Sequence, residues 1–171
     1  MKRLTLVRHA NADWKDSAVA DFDRPLNRRG MAEAEATAKR LFEQQLTPDL
    51  VVTSPSRRTQ QTADIIAREH GFGSRRVKRD EHLYLASADD ILKVIRATGP
   101  KVDHLAVVGH NPGIADLLKL LAPNAGVSEL ATGAACTMTF NVKMWNSVAL
   151  GGAKEVKYEA PPSGILGGLF S

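Results

Sequence analysis

Arg3-Leu4-Thr5-Leu6-Val7-Arg8-His9 opens the chain with an alternating run, rich in Leu, Thr and Val, that stops at two basic side chains. Its period and composition predict a first β-strand from Arg3 to Arg8. Two further runs resemble it. Asp49-Leu50-Val51-Val52-Thr53, flanked by Pro48 and Pro55, predicts a short buried strand, and His104 to Gly109 predicts a third, strongly apolar one.

The segments between these strands carry helical spacing. Asn27 can cap a helix with Met31, Ala34, Ala38, Leu41 and Phe42 on one face, closing near Gln45. From Arg57 to about His70 a second pattern turns Thr62, Ile65 and Ile66 inward, with Gly71 and Gly73 as terminators. Ser87 caps a third helix holding Ile91, Leu92, Val94 and Ile95, which ends near Gly99-Pro100. Asn111-Pro112-Gly113 leads into a fourth through Leu121, and Cys136 to Val142 and Val156 to Ala160 read as strands at a sheet margin. Strands alternating with helices imply parallel crossovers. The expected fold is therefore α/β: a three-layer α/β/α sandwich around a mostly parallel central sheet. No repeat or linker interrupts the chain, so residues 1–171 are expected to form one domain. Pro161-Pro162 and the glycines after them predict a flexible tail over 161–171, whose Ile165, Leu166, Leu169 and Phe170 can dock on the body or on a partner.

Composition narrows the function classes. The 171 residues are 43% hydrophobic and 25% charged, enough apolar material for an ordinary core. Apolar runs fall far short of the ~20 residues of a membrane span, and the stretch after Met1-Lys2-Arg3 stops at Val7, too early for an export signal. Cys136 is the only cysteine, set among small residues like a core position, and a reducing cytoplasm fits. The net charge of +4 and pI near 9.4 lean toward acidic or phosphorylated partners. Arg75, Arg76, Lys78 and Arg79 form the densest basic run, read as a solvated connection. With 5% aromatic residues and none interleaved with that run, nucleic acid is not an expected partner, nor is a membrane.

In open α/β sheets, ligands gather beyond the carboxyl ends of the strands. The first strand delivers Arg8 and His9 there, the second Ser54 and then Arg58, and the third His110. Two histidines and two arginines on one rim suit phosphoryl transfer to a nitrogen nucleophile. The moving phosphoryl group spreads charge over three oxygens, and guanidinium forks can hold those oxygens in place. His9 is the expected nucleophile, Arg8 and Arg58 the clamps, and His110 a protonated donor to the same oxygens. Arg58 at a helix start adds the helix N-terminus to the anion site, whereas Arg57 is expected to face solvent. Like-charge repulsion from the arginines is expected to depress the free-state pKa of both histidines and so keep His9 unprotonated. No P-loop, His-Glu-x-x-His or paired-cysteine spacing occurs, so neither a metal nor another cofactor is implied. Asn11 and Asn111 read as turn-holding residues. Trp14 is read either as a pocket wall or as a cap on the core.

Leu6-Val7-Arg8-His9-Ala10 resembles the Arg-His-Gly signature of the histidine phosphatase (phosphoglycerate-mutase-like) superfamily. Ser54-Pro55-Ser56-Arg57-Arg58-Thr59-Gln60-Gln61-Thr62-Ala63 resembles its Ser-Pro-x-x-Arg-Ala-x-Gln-Thr segment, and Val108-Gly109-His110-Asn111-Pro112 completes the set. The resemblance spans Leu4 to about Leu121 and implies a phosphate-accepting His9 in a pocket made by Arg8, Arg58 and His110. The short length, Arg-His-Ala, and Asp23-Arg24-Pro25-Leu26-x-x-x-Gly30 are similar to SixA-type phosphohistidine phosphatases. Larger mutase-like members place a glutamate acid where this chain reads Leu83-Tyr84-Leu85-Ala86. Its absence disfavours alkyl phosphates, whose leaving oxygen needs a proton, and agrees with a phosphoramidate. Asp21, Asp23 and Glu81 are the remaining candidate acids. The implied partner is a phosphorylated protein, such as a histidine phosphotransfer domain in signal transduction. A small phosphate ester is the alternative substrate, and a phosphate-binding module without turnover is the alternative of another class.

Overall fold

The computed structural model describes residues 1–127 and 129–163. Ile165, Leu166, Leu169 and Phe170, expected to dock, lie outside the described residues. In chain order the main elements are β1 (Lys2–Arg8), α1 (Arg28–Glu43), β2 (Leu50–Thr53), α2 (Arg57–His70), β3 (Val77–Arg79), α3 (Ala88–Arg96), β4 (His104–Gly109), α4 (Gly113–Leu121), β5 (Ala135–Phe140) and β6 (Ala153–Glu159). Six strands form one sheet in the order β3-β2-β4-β1-β5-β6. β4 pairs parallel with both β1 and β2, and β3 parallel with β2, whereas β5 runs antiparallel to its neighbours β1 and β6.

Alternate side chains of the central strands supply the two cores. Leu4 and Leu6 of β1 and Leu105 and Val107 of β4 meet Ile91 and Ile95 of α3, and Ile114 and Leu117 of α4. On the other face Val7, Val51, Ala106 and Val108 meet Ala38 and Leu41 of α1 and Ala63 and Ile66 of α2. Each large aliphatic side chain buried in this way contributes about 1.5–3 kcal/mol.

Local signals set the helix ends. Asn27 caps α1 by accepting from the Gly30 amide at 2.8 Å, and Ser87 caps α3 through the Asp90 amide at 3.2 Å. Gly71 ends α2 in the left-handed conformation, φ 73°. Among the described residues, no helix is long and apolar enough to cross a membrane.

Three expectations need correction. β5 is not marginal: it lies between β1 and β6 and is buried along its whole length. The basic run read as a connection holds β3, an edge strand paired with β2 through Val51–Val77 and Thr53–Arg79, its charged side chains turned to solvent. Phe42 is 53% exposed, its ring edge-on to His70, because the buried stripe of α1 runs through Gly30, Glu33, Ala34, Thr37, Ala38 and Leu41.

Candidate active site

The parallel register aligns the carboxyl ends of the three central strands: Arg8 lies opposite Gly109, and Thr53 opposite Val108. The residues that follow them, His9, Ser54 and His110, consequently emerge on one rim. The α2 N-terminus returns to the same rim carrying Arg58.

His9 is buried, and its Nδ1 lies 2.8 Å from the Ala10 carbonyl oxygen. A carbonyl only accepts, so Nδ1 carries the proton and the Nε2 lone pair points into the site. Arg58 Nε lies 3.4 Å from that Nε2. Burial pulls the His9 pKa down to about 4, with Arg58 and Arg8 adding like-charge repulsion, so the ring is neutral at pH 7. The expected state is found, but desolvation leads and repulsion is secondary.

His110 stands with its ring centroid 5.3 Å from that of His9. Its Nε2 bonds the Ser54 hydroxyl at 2.8 Å and its Nδ1 faces Arg58 Nη2 at 3.3 Å. The guanidinium only donates, so Nδ1 accepts and Nε2 carries the proton. Burial, then His9 and Arg58, lower its pKa to about 3. His110 is thus neutral in this arrangement, with the depressed free-state pKa expected of both histidines, although burial and not repulsion leads. His9, Arg58 and His110 are therefore in mutual contact.

Arg8 stands beside them without a hydrogen bond to any of the three. Its Nη1 donates to the Leu130 carbonyl at 3.0 Å, while its Nε is buried with no partner among the described residues. A cleft of about 540 Å³ lies against it, lined also by Asn111, Pro112, Lys119, Glu129 and Tyr158. A buried donor left unpaired costs about 1–3 kcal/mol, which an anion at this rim can recover.

Of the candidate acids only Asp21 reaches the site. Its Oδ2 accepts from Arg58 Nη2 at 3.1 Å and from the Tyr84 hydroxyl at 2.5 Å, and its carbonyl accepts from Arg58 Nη1 at 2.6 Å. Burial alone would raise the Asp21 carboxyl, but Tyr84 and Arg58 together hold it below its ordinary value, ionised. Asp23 and Glu81 are exposed. Arg57 is exposed as expected. Trp14, 55% exposed, is not a cap on the core; its ring centre lies 5.5 Å from the Arg58 guanidinium carbon.

The framework is polar and closed. Asn11 accepts from Asn27 Nδ2 at 2.6 Å, and Asn111 bridges the Leu130 carbonyl and the Ala115 amide, so both hold turns. Gly30 lets α1 press on the loop after His9: a Cβ there would lie 2.0 Å from the Asn11 carbonyl oxygen. Gly113 does the same for α4 against the Ala86 carbonyl, also at 2.0 Å.

Sequence reasoning missed Glu33, a buried acid that accepts from the Asn11 amide at 2.9 Å and from Thr132 Oγ1 at 3.1 Å. A carboxylate on the buried stripe of α1 was the available signal. Tyr84 was also missed as a site residue. Its ring is edge-on to His110 at 5.6 Å, and no periodicity marks it.

Comparison with known proteins agrees with this geometry. The model of the histidine phosphatase superfamily (branch 1) matches residues 4–84. An uncharacterized protein of Mycobacterium tuberculosis is 32% identical over 120 residues, covering 70% of this chain and 72% of that protein. Two solved structures that carry the name SixA are similar over nearly their whole length. That from Nakamurella multipartitia has TM-score 0.81 and 29% identity, covering 95% of this chain and 97% of its own. That from Agrobacterium tumefaciens has TM-score 0.78 and 28% identity, covering 94% and 99%.

Proposed function

The chain belongs to the histidine phosphatase superfamily, is of the SixA type, and is accordingly a phosphatase; from that premise we propose that it hydrolyses phosphohistidine on a protein, through a covalent phosphate on His9. The observation that carries this reading is the Nδ1 bond to the Ala10 carbonyl, which leaves a neutral Nε2 lone pair turned toward Arg58. A neutral, oriented imidazole facing a cationic clamp is what attack on phosphorus requires.

In the first step His9 Nε2 forms a bond to phosphorus as the substrate P–N bond breaks in line, and the departing imidazole nitrogen takes a proton from solvent. Water then attacks phosphohistidine at His9, releasing phosphate and returning the free ring. Arg8 and Arg58 bind the phosphoryl oxygens, joined by His110, which gains a proton as the phosphoryl dianion arrives beside it. Ser54 orients His110, and Glu33 steadies the loop after His9.

The leaving-group argument favours phosphohistidine over alkyl esters. Tyr84 stands in the stretch where larger relatives carry an acid, and its hydroxyl is committed to Asp21. A phosphoramidate needs less proton assistance than an alkoxide. The substrate expected is a histidine phosphotransfer domain, in a reducing cytoplasm that suits the lone buried Cys136.

The test compares wild type with His9→Ala on a phosphohistidine protein and on a panel of small esters, without added metal. Rapid turnover confined to the protein substrate and dependent on His9 is expected. Preferential turnover of small esters would transfer the reading to a phosphomonoesterase, and phosphate binding without turnover to a binding module.

A further inference from the structure

Each nitrogen of the Arg58 guanidinium already has a partner within the protein. Nε faces His9, Nη1 donates to the Asp21 carbonyl, and Nη2 is shared between Asp21 Oδ2 and His110 Nδ1. The Asp21 carboxylate is thus an anion already seated on the guanidinium that the phosphoryl group needs.

The segment carrying it is braced at its base and along its length. Ala12 and Leu26 form a bridge, and the Asp13 amide donates to the Pro25 carbonyl at 2.9 Å. The Arg24 guanidinium carbon lies 4.9 Å from the centre of the Trp14 ring, and Arg24 Nη1 donates to the Asp16 carbonyl at 3.1 Å. Tyr84 holds the same Oδ2 from the far side. The two partners differ in exposure: the Arg58 side chain is 3% exposed and that of Asp21 43%. The cation is fixed in place, whereas the carboxylate has room to swing toward solvent.

We propose that Asp21 is a specificity-determining residue that competes with the phosphoryl group for Arg58, so that the site favours a phosphoryl group carried on a docked macromolecule over free phosphate. This rests on Arg58 being the phosphate clamp of the proposed function. Every phosphoryl ligand must displace or repel the same carboxylate. A macromolecular substrate offsets that penalty with contacts elsewhere on its surface, and inorganic phosphate has none to offer. After hydrolysis, Asp21 returns to Arg58 and helps expel the product.

The experiment is calorimetric titration of inorganic phosphate into wild type, Asp21→Asn, Asp21→Ala and Arg58→Ala, with kcat and KM on p-nitrophenyl phosphate alongside. Asp21→Asn keeps the side-chain shape and its partners while removing the charge, and guards against a folding defect in the alanine variant. Both Asp21 variants are expected to bind phosphate about tenfold tighter or more, the effect of removing one charge within a few ångströms, with KM falling in parallel. Unchanged or weaker phosphate affinity in Asp21→Asn would overturn the proposal. A fall in kcat without tighter phosphate would also overturn it, in favour of proton transfer by Asp21. Arg58→Ala separates the two layers. If it weakens phosphate while Asp21→Asn changes nothing, only the competition fails; if it leaves phosphate binding intact, the clamp itself fails and the proposed function loses its support.

Discussion

Two buried histidine clusters lie at opposite ends of the same strands, and both are neutral. At the amino end of β4, His104 has its pKa lowered to about 4, chiefly by burial. Its Nε2 bonds Thr5 Oγ1 at 2.8 Å, Thr5 bonds Thr137 at 2.8 Å, and the other ring nitrogen meets the Thr47 backbone. At the carboxyl end His9 reaches the same low value, yet its Nε2 faces only a guanidinium, at 3.4 Å. A depressed histidine pKa therefore marks burial in both places, and a site of chemistry in one only under the proposed function. What separates them is the partner: a threonine hydroxyl at 2.8 Å and the Thr47 backbone hold the first ring, whereas the Nε2 lone pair of the second accepts only a long 3.4 Å bond from Arg58 Nε.

The sharpest break in the comparison comes from Arg58. Arg58→Ala is expected to lower kcat/KM about 10²–10³-fold, the usual loss when one preorganised donor to a charged transition state is removed, measured on the protein substrate at pH 7. Next is stability against pH. His104 binds its proton near pH 4 in the folded chain and near 6.5 in the unfolded one. Between these values the unfolded state holds more protons, so stability rises with pH across the window and is lost as pH falls from 6.5 toward 4. The His104 contribution is about 3 kcal/mol; urea unfolding of His104→Asn should show a flatter acid limb while turnover at pH 7 is kept.

Gly30→Ala should destabilise by about 1–3 kcal/mol, since its Cβ would meet the Asn11 carbonyl oxygen at 2.0 Å. Thermal unfolding measures it, and a lower kcat alongside would tie that contact to the loop after His9. The smallest effect is expected at Arg57, exposed beside Arg58: Arg57→Ala should leave kcat/KM within about twofold, as surface changes usually do.

The same contrast explains what could be read in advance. β4 and α2 match their expected bounds because each carries its own signal, an unbroken apolar run in one and a periodic face closed by Gly71 in the other. The placement of Arg8, His9, Arg58 and His110 on one rim was legible for a related reason: each ends or directly follows a strand or lies in the first turn of a helix, so local structure alone puts it there. β3 was not legible, because its three residues offer only Val77 as apolar evidence and pairing with β2 creates the strand. Asp21 was one candidate among three, and Tyr84 had no signal. Both are positioned by loops whose path depends on the folded body, Asp21 across residues 12–26 and Tyr84 after the turn at Glu81–Leu83. The lowered pKa of His110 follows the expectation for both histidines, but its leading cause does not, because composition shows nearby charge and not the depth of burial.

The central claim is that His9 Nε2 carries the phosphate between the two steps. Rapid quench into base during turnover of a ³²P-labelled phosphohistidine protein, followed by peptide mapping, tests it most directly. The account predicts transient, acid-labile label on the peptide containing His9, absent in His9→Ala and prolonged in variants that slow the second step. Turnover at the wild-type rate with no label on that peptide, or with label retained in His9→Ala, would contradict it.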